Sequence, residues 1–202
     1  EVGRLMGESM LENIPDGGDI FLIQGPLTDN NVSLIREGID ETLAGSNLNV
    51  VYEANCPGWI AENAYTYTKE GLKLDRNVKG IICGNDDLAS QAFRALSEER
   101  LAGKVCVTGQ DGDLAACQRI VEETQEMTAF KSVEQEASLA AKCAVLLGLG
   151  EEIEEVQDTA YDGTYNVPYL ELQPIAVTKE NMDEVIIKGG FHAKEDVYLN
   201  VN

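Results

Sequence analysis

The stretch "CVTGQDGDLAACQRI", residues 106–120, is an apolar run that stops abruptly at an acid. Cys106 and Val107 read as buried strand, Gly109 to Asp113 as a polar loop, and Leu114 onward as a helix. A buried strand thus ends by delivering Asp111 to the approach of a helix. Three chemistries place an acid there: a phosphoacceptor, a metal ligand, or an acceptor for sugar hydroxyls.

Working outward, the same rhythm repeats. Short β-rich runs stand at 19–25, 48–55, 78–85, 104–110 and 126–131. Amphipathic helical patterns fall near 29–44, 59–73, 87–101 and 112–124, with another at 2–13. Continuous apolar strands with helices between them predict a parallel sheet covered on both faces, an α/β doubly wound layer. The pattern then changes. Residues 132–150 form one strong amphipathic helix that stops at a glycine. A strand-like "EEVQDTAYDG" (154–163) and "VPYLELQPIAV" (167–177) come next, and a short helix is expected over 179–188. No internal repeat or low-complexity segment is present.

The 202 residues suffice for one large domain or two small ones. Fifteen basic against thirty-six acidic residues give a formal charge of −21. Such a surface repels phosphate backbones and anionic lipid, so nucleic acid and membrane surfaces are poor partners and no nucleic-acid ligand is expected. No signal peptide or transmembrane run is visible, and the chain does not begin with Met. Five cysteines leave at least one unpaired, and no CxxC pair occurs. Most sit in apolar runs and are expected to pack as small hydrophobes. The single His192 offers neither a triad nor a two-His metal site, and is expected at the surface.

In open α/β sheets ligands bind beyond the carboxyl ends of the strands. Here the successive strand ends deliver Asp29 and Asn31, Trp59, Asn85, Asp111 and Lys131 to one edge. That set suits a neutral polyhydroxyl ligand. Carboxylates and amides each engage neighbouring hydroxyls. An indole face packs on the C–H side of a pyranose. A lysine donates to sugar oxygens and offsets the acids. Duller readings exist for each residue. Asp29, Asp86 and Asp111 stand where helices begin, and N-capping accounts for any one of them. Asn85 fits a turn, Trp59 a core position, and Lys131 a solvated strand end. Capping does not, however, require a Trp and a Lys on the same edge. A phosphoacceptor would need an acidic cluster after the first strand, which "FLIQG" lacks. A calcium loop would need alternating oxygen ligands, and Leu114-Ala115-Ala116 breaks that pattern.

In order along the chain, "DNN", "GWIAENA", "GNDDLA", "GKVCVTGQDGDLAACQRI", "TQEMTAFK" and "VIIKGGF" resemble the type I periplasmic sugar-binding proteins of ABC transporters. The resemblance implies a two-lobed clamp, joined by three crossings, that closes on one xylose-type pyranose. Asp29, Asn31, Asn85 and Asp111 match hydroxyl ligands, Trp59 the stacking aromatic, and Lys131 a lysine binding from the hinge side. No catalytic residue, cofactor or metal is implied. Residues 1–130 match the C-terminal sugar-binding lobe, 131–166 a segment of the N-terminal lobe, and 167–202 a return to the first. Most of the N-terminal lobe is missing from this pattern. The apolar face of the 133–148 helix (Val133, Ala137, Ala140, Ala144, Leu147) would normally pack on that lobe's sheet. It is therefore expected to fold back, swap or dimerise.

The implied location is extracytoplasmic, in the periplasm or at the cell surface, with or without a lipid anchor. The implied partner is an ABC permease. One alternative is a sensory version presenting the sugar to a membrane kinase. Another is the effector lobe of a lactose-repressor-type regulator, which shares this fold. An enzyme using Asp111 or Cys83 as nucleophile would lack a base nearby in sequence.

Overall fold

The structure is a computed structural model that describes residues 1–154, 156 and 158–201. It divides into two compact units, Glu1–Phe130 with Ile175–Asn202, and Lys131–Pro174.

The larger unit carries a six-stranded sheet in the order β2-β1-β3-β4-β5-β8. Its strands are β1 (Gly18–Gln24), β2 (Leu48–Asn55), β3 (Gly80–Cys83), β4 (Cys106–Gln110), β5 (Met127–Phe130) and β8 (Ile175–Val177). The first five are parallel, and β8 runs antiparallel to β5 along Thr128↔Val177 to Phe130↔Ile175. Alternation along β1 explains the two covered faces. Phe21 and Ile23 join Ile81, Cys83 and Val107 under α3 (Glu62–Leu74) and α4 (Asp86–Glu98). Ile20 and Leu22 join Ile82 and Met127 under α1 (Val2–Asn13) and α2 (Asn30–Leu43). A third cluster packs α5 (Leu114–Val121) against Phe130, Val177, Met182, Ile186 and Val197, the last on α7 (Lys194–Val197).

Several boundaries differ from the sequence reading. The third strand is four residues, not eight, because Gly84 and Asn85 already turn toward α4. The helix expected from 59 begins at Glu62, after a 3₁₀ turn over Pro57–Trp59. The helix expected over 179–188 shrinks to a single π turn, Asp183–Ile187, closed by Lys188 N–H donating to the Asp183 carbonyl at 2.9 Å. His192, expected at the surface, is half-buried, and its Nε2 lies 2.8 Å from the Gly112 carbonyl oxygen. Cys56, Cys83, Cys106 and Cys117 are buried free thiols, and Cys143 is half-buried and free.

The smaller unit contains α6 (Val133–Leu149) and a hairpin of β6 (Asp158–Tyr161) with β7 (Asn166–Tyr169). Ser132 caps α6 by accepting from Gln135 N–H, and Gly150 ends it in the left-handed region at φ 74°. The sequence placed a return at 167, but Val167 and Pro168 pair with Ala160 and Thr159 of β6. The larger unit resumes only at Ile175. Of the strand-like stretch 154–163, Glu155 and Gln157 lie outside the described residues. No residue of α6 is buried, and Val133, Val145 and Leu147 are each more than 60% exposed.

Candidate functional site

The C-terminal ends of β1 to β5 face one edge of the sheet, since these strands are parallel. After β1, Asp29 is the N-cap of α2, and its Oδ1 accepts from Asn31 N–H at 2.9 Å. Its Oδ2 accepts from the indole Nε1–H of Trp59 at 3.0 Å. These two bonds, the backbone one first, hold the Asp29 carboxyl below the usual range. Asn31 stands exposed in the first turn of α2.

Trp59 closes the 3₁₀ turn after β2 with φ 58°, a left-handed conformation unusual for a bulky residue. Two glycines at neighbouring strand ends admit its ring. A Cβ on Gly25 would lie 2.2 Å from the indole, and one on Gly84 would lie 3.1 Å from it. The indole is half-buried rather than sealed in the core, although it packs against the α3/α4 cluster. It therefore sits at the sheet's edge, oriented by Asp29 and admitted by two side chains that are absent.

Asn85 is the N-cap of α4, its Oδ1 accepting from Leu88 N–H at 2.9 Å. The capping reading thus holds on geometry for Asp29, while Asn85, read from the sequence as a turn residue, proves to be a cap as well. Capping uses one lone pair of each side-chain oxygen and leaves further acceptor capacity. Asp29→Ala and Asn85→Ala should each lower stability by about 1 kcal/mol through the lost cap. Urea unfolding of each variant checks this.

Capping does not describe Asp111. The N-cap position of α5 is Asp113, and Asp111 lies three residues before the first helical residue, Leu114. Asp111 is exposed, with φ 103°, and its N–H donates to the Ala129 carbonyl at 3.0 Å. Nor does Asp86 cap a helix. It is the first residue inside α4 and is completely buried. Sequence reasoning saw Asp86 only as a capping candidate. The signal that it does more was Gly109, whose missing side chain makes its room: a Cβ there would lie 2.1 Å from Asp86 Oδ1. Lys131 comes directly after β5, is exposed, and opens the smaller unit.

The structure therefore brings Asp29, Asn31 and Trp59 together, sets Asn85 beside the glycine under the indole, and presents Asp111 from the neighbouring strand end. An open groove of about 470 Å³ runs elsewhere, between α2 and β2, and its walls include none of the six predicted residues. Arg36 in that groove is already engaged by Asp40 at 2.8 Å and by Glu53. Among the described residues no cluster of His, Cys, Asp or Glu could hold a metal ion. None of the described helices is long and apolar enough to cross a membrane.

A family model described as a periplasmic binding protein domain matches residues 1–152. The D-xylose-binding periplasmic protein of Haemophilus influenzae is 40% identical over 203 residues, spanning 98% of this chain and 60% of that protein. The Escherichia coli K12 protein of the same description is 36% identical over 202 residues, 98% of this chain and 61% of its own length. Among solved structures, an ABC transporter solute binding protein from Clostridium phytofermentans with bound β-D-glucose superposes with a TM-score of 0.83. At 24% identity, covering 97% of this chain and 67% of that one, it shares the fold. This chain thus spans about 60% of the length of the curated relatives it matches.

Proposed function

The chain belongs to the periplasmic binding protein domain family, and from that membership we propose that it holds a monosaccharide, a xylose-type pyranose, as part of the solute-binding component of an ABC sugar transporter. The observation that carries this reading is the strand-end group of Asp29, Trp59, Asn85 and Asp111. Two of its members, Trp59 and Asp111, hold positive φ angles. Strained backbone in non-glycine residues concentrates where a side chain must be aimed. Trp59 stacks on the sugar's C–H face. Asp29, Asn31, Asn85 and Asp111 take its hydroxyls, and Lys131 donates to its oxygens. No bond is made or broken. Ligand binding shifts an open–closed equilibrium, and an ABC permease reads the closed form. The location that goes with this role is extracytoplasmic.

The domain assignment is part of the same proposal. Residues 1–130 and the returning C-terminal segment form one sugar-facing lobe. The 131–166 segment, extended to Pro174 by the pairing of β7 with β6, belongs to a second lobe, whose sheet covers Val133, Ala137, Ala140, Ala144 and Leu147 of α6. The exposure of α6 supports this, as does the share of the relatives' length that the chain spans. A dimer or swap through the same helix is the competing cover, and sedimentation of the chain with and without a second lobe separates the two.

Calorimetric titration with D-xylose, D-glucose and D-ribose tests the function, using the chain alone and with the rest of a second lobe supplied in trans. Xylose should bind tightest to the reassembled pair, because closure buries both ring faces. Glucose is discriminated by the space its CH₂OH needs, at roughly 10- to 200-fold. Absence of binding by all three sugars to the pair would overturn the reading.

A further inference from the structure

Beneath the exposed loop that carries Asp111 lies a buried carboxylate with no surface of its own. Asp86 Oδ2 accepts from the Thr128 hydroxyl at 2.7 Å and from Asp113 N–H at 3.0 Å. Its Oδ1 accepts from the Gln125 side-chain amide at 3.0 Å. Three donors converge on two oxygens, a pattern that an ionised carboxylate satisfies and an amide does not. The Thr128 hydroxyl, having donated to Asp86, accepts from Gly112 N–H at 3.0 Å. Gln125 in turn accepts from Arg119 Nε–H at 3.0 Å. On the far side, the Gly112 carbonyl meets His192 Nε2 at 2.8 Å and the Cys117 thiol at 3.5 Å.

The backbone N–H groups of residues 111 to 113 are thus all engaged. Asp111 pairs with β5, Gly112 is held through Thr128, and Asp113 is held by Asp86 itself. The conformation they hold is the φ of 103° at Asp111, which persists only where the surroundings over-determine it. Asp86 is also the immediate neighbour of Asn85 in the chain. One buried group therefore ties the start of α4 after β3 and the loop after β4 to Thr128 inside β5 and Gln125 just before it.

We infer that Asp86 is a positioning residue. It never touches the ligand, and it sets Asp111 and Asn85 in register so that their acceptors meet one sugar. This rests on the sugar-binding reading above.

A mere packing role predicts no particular pH behaviour, whereas this one does. The titratable and charged groups that act on Asp86 are Asp113 in the loop, Cys83 on β3, and Cys117 and Arg119 on α5, while Asp87 and Asp111 act on Asp113. His192 approaches through the Gly112 carbonyl. Burial pushes the Asp86 carboxyl up to about 7, against the pull of the hydrogen bonds from Thr128, Gln125 and the Asp113 backbone. Its folded value is raised, so protonation sets in as pH falls through about 7, and one of the three donors then loses its acceptor.

The test compares the parent with Asp86→Asn, Thr128→Val and Thr128→Ser, using calorimetric D-xylose titration on the same pair of lobes and amide hydrogen exchange on the chain. Parent affinity should fall as pH is lowered from about 8 to about 6, and Asp86→Asn should be weaker by about tenfold at the upper pH and flat across the range. Exchange at the Gly112 and Asp113 amides should rise by about tenfold or more in Asp86→Asn and Thr128→Val, with the Ile81 and Val107 amides unchanged. Thr128→Ser keeps the hydroxyl and should behave as the parent. Should Asp86→Asn not fold, Thr128→Val carries the comparison. Unchanged exchange at Gly112 and Asp113 overturns the inference, and so does equal loosening across the whole sheet. If the parent binds no sugar, the functional reading fails, and the exchange data alone decide whether Asp86 holds the loop.

Discussion

If the proposed sugar site is right, Trp59→Ala should weaken D-xylose binding to the reassembled pair of lobes by roughly 30- to 100-fold. A stacked indole removes about 100 Å² of apolar surface from water, and roughly 25 cal/mol per Å² gives about 2.5 kcal/mol. The fold should survive, because Trp59 is half-buried at the sheet's edge and not in the core. Trp59→Phe keeps a ring but loses the donor to Asp29 Oδ2, so it should recover only part of the affinity. Calorimetry on the three proteins reads this order directly. Equal affinity in all three would place the indole outside the site.

Gly109→Ala has the largest expected effect on stability, about 3–5 kcal/mol, from overpacking together with broken buried hydrogen bonds. The added methyl would stand 2.1 Å from Asp86 Oδ1 and 3.1 Å from Gln125 Nε2. Neither group can yield cheaply, since Asp86 has three donors aimed at it and Gln125 bridges it to Arg119. For a chain of this size the melting temperature should drop by about 10 °C or more. Gly148→Ala is the control: apart from its chain neighbours and its own helix backbone, nothing lies within 4 Å of a Cβ there, so any effect should be small. Thermal unfolding by circular dichroism compares the two.

Much of this fold was legible because its central strands β1, β3, β4 and β5 are buried on both faces, whereas the edge strand β2 is largely exposed. The runs around Ile20–Ile23, Ile81–Ile82 and Cys106–Val107 are continuous and apolar, and the helices between them keep a clear period. Legibility failed where tertiary contacts decide. The π turn at Asp183–Ile187 and the pairing of β7 with β6 carry no periodic signature. At the site, the residue types at the strand ends were readable, and so was the capping role of Asp29; the cap at Asn85, read as a turn, was not, because Asp86 beside it looked the better cap. What the sequence could not display was the second function of a glycine. Gly25 and Gly84 seat an indole, and Gly109 makes room for a buried acid, each across distances of tens of residues. Asp86 was hidden for the same reason, since its partners Thr128, Gln125 and Asp113 are distant in the chain.

Trp59 is the single tryptophan, so its fluorescence reports on the proposed site without labelling. The most direct measurement is a fluorescence titration with D-xylose, run beside the calorimetry on the same pair of lobes and repeated with Asp111→Ala. A saturable change in Trp59 emission at the calorimetric midpoint, lost or strongly right-shifted in Asp111→Ala, is the predicted result. Heat of binding with no response from Trp59, or a response indifferent to Asp111, would mean that the sugar sits away from these strand ends and contradict the account.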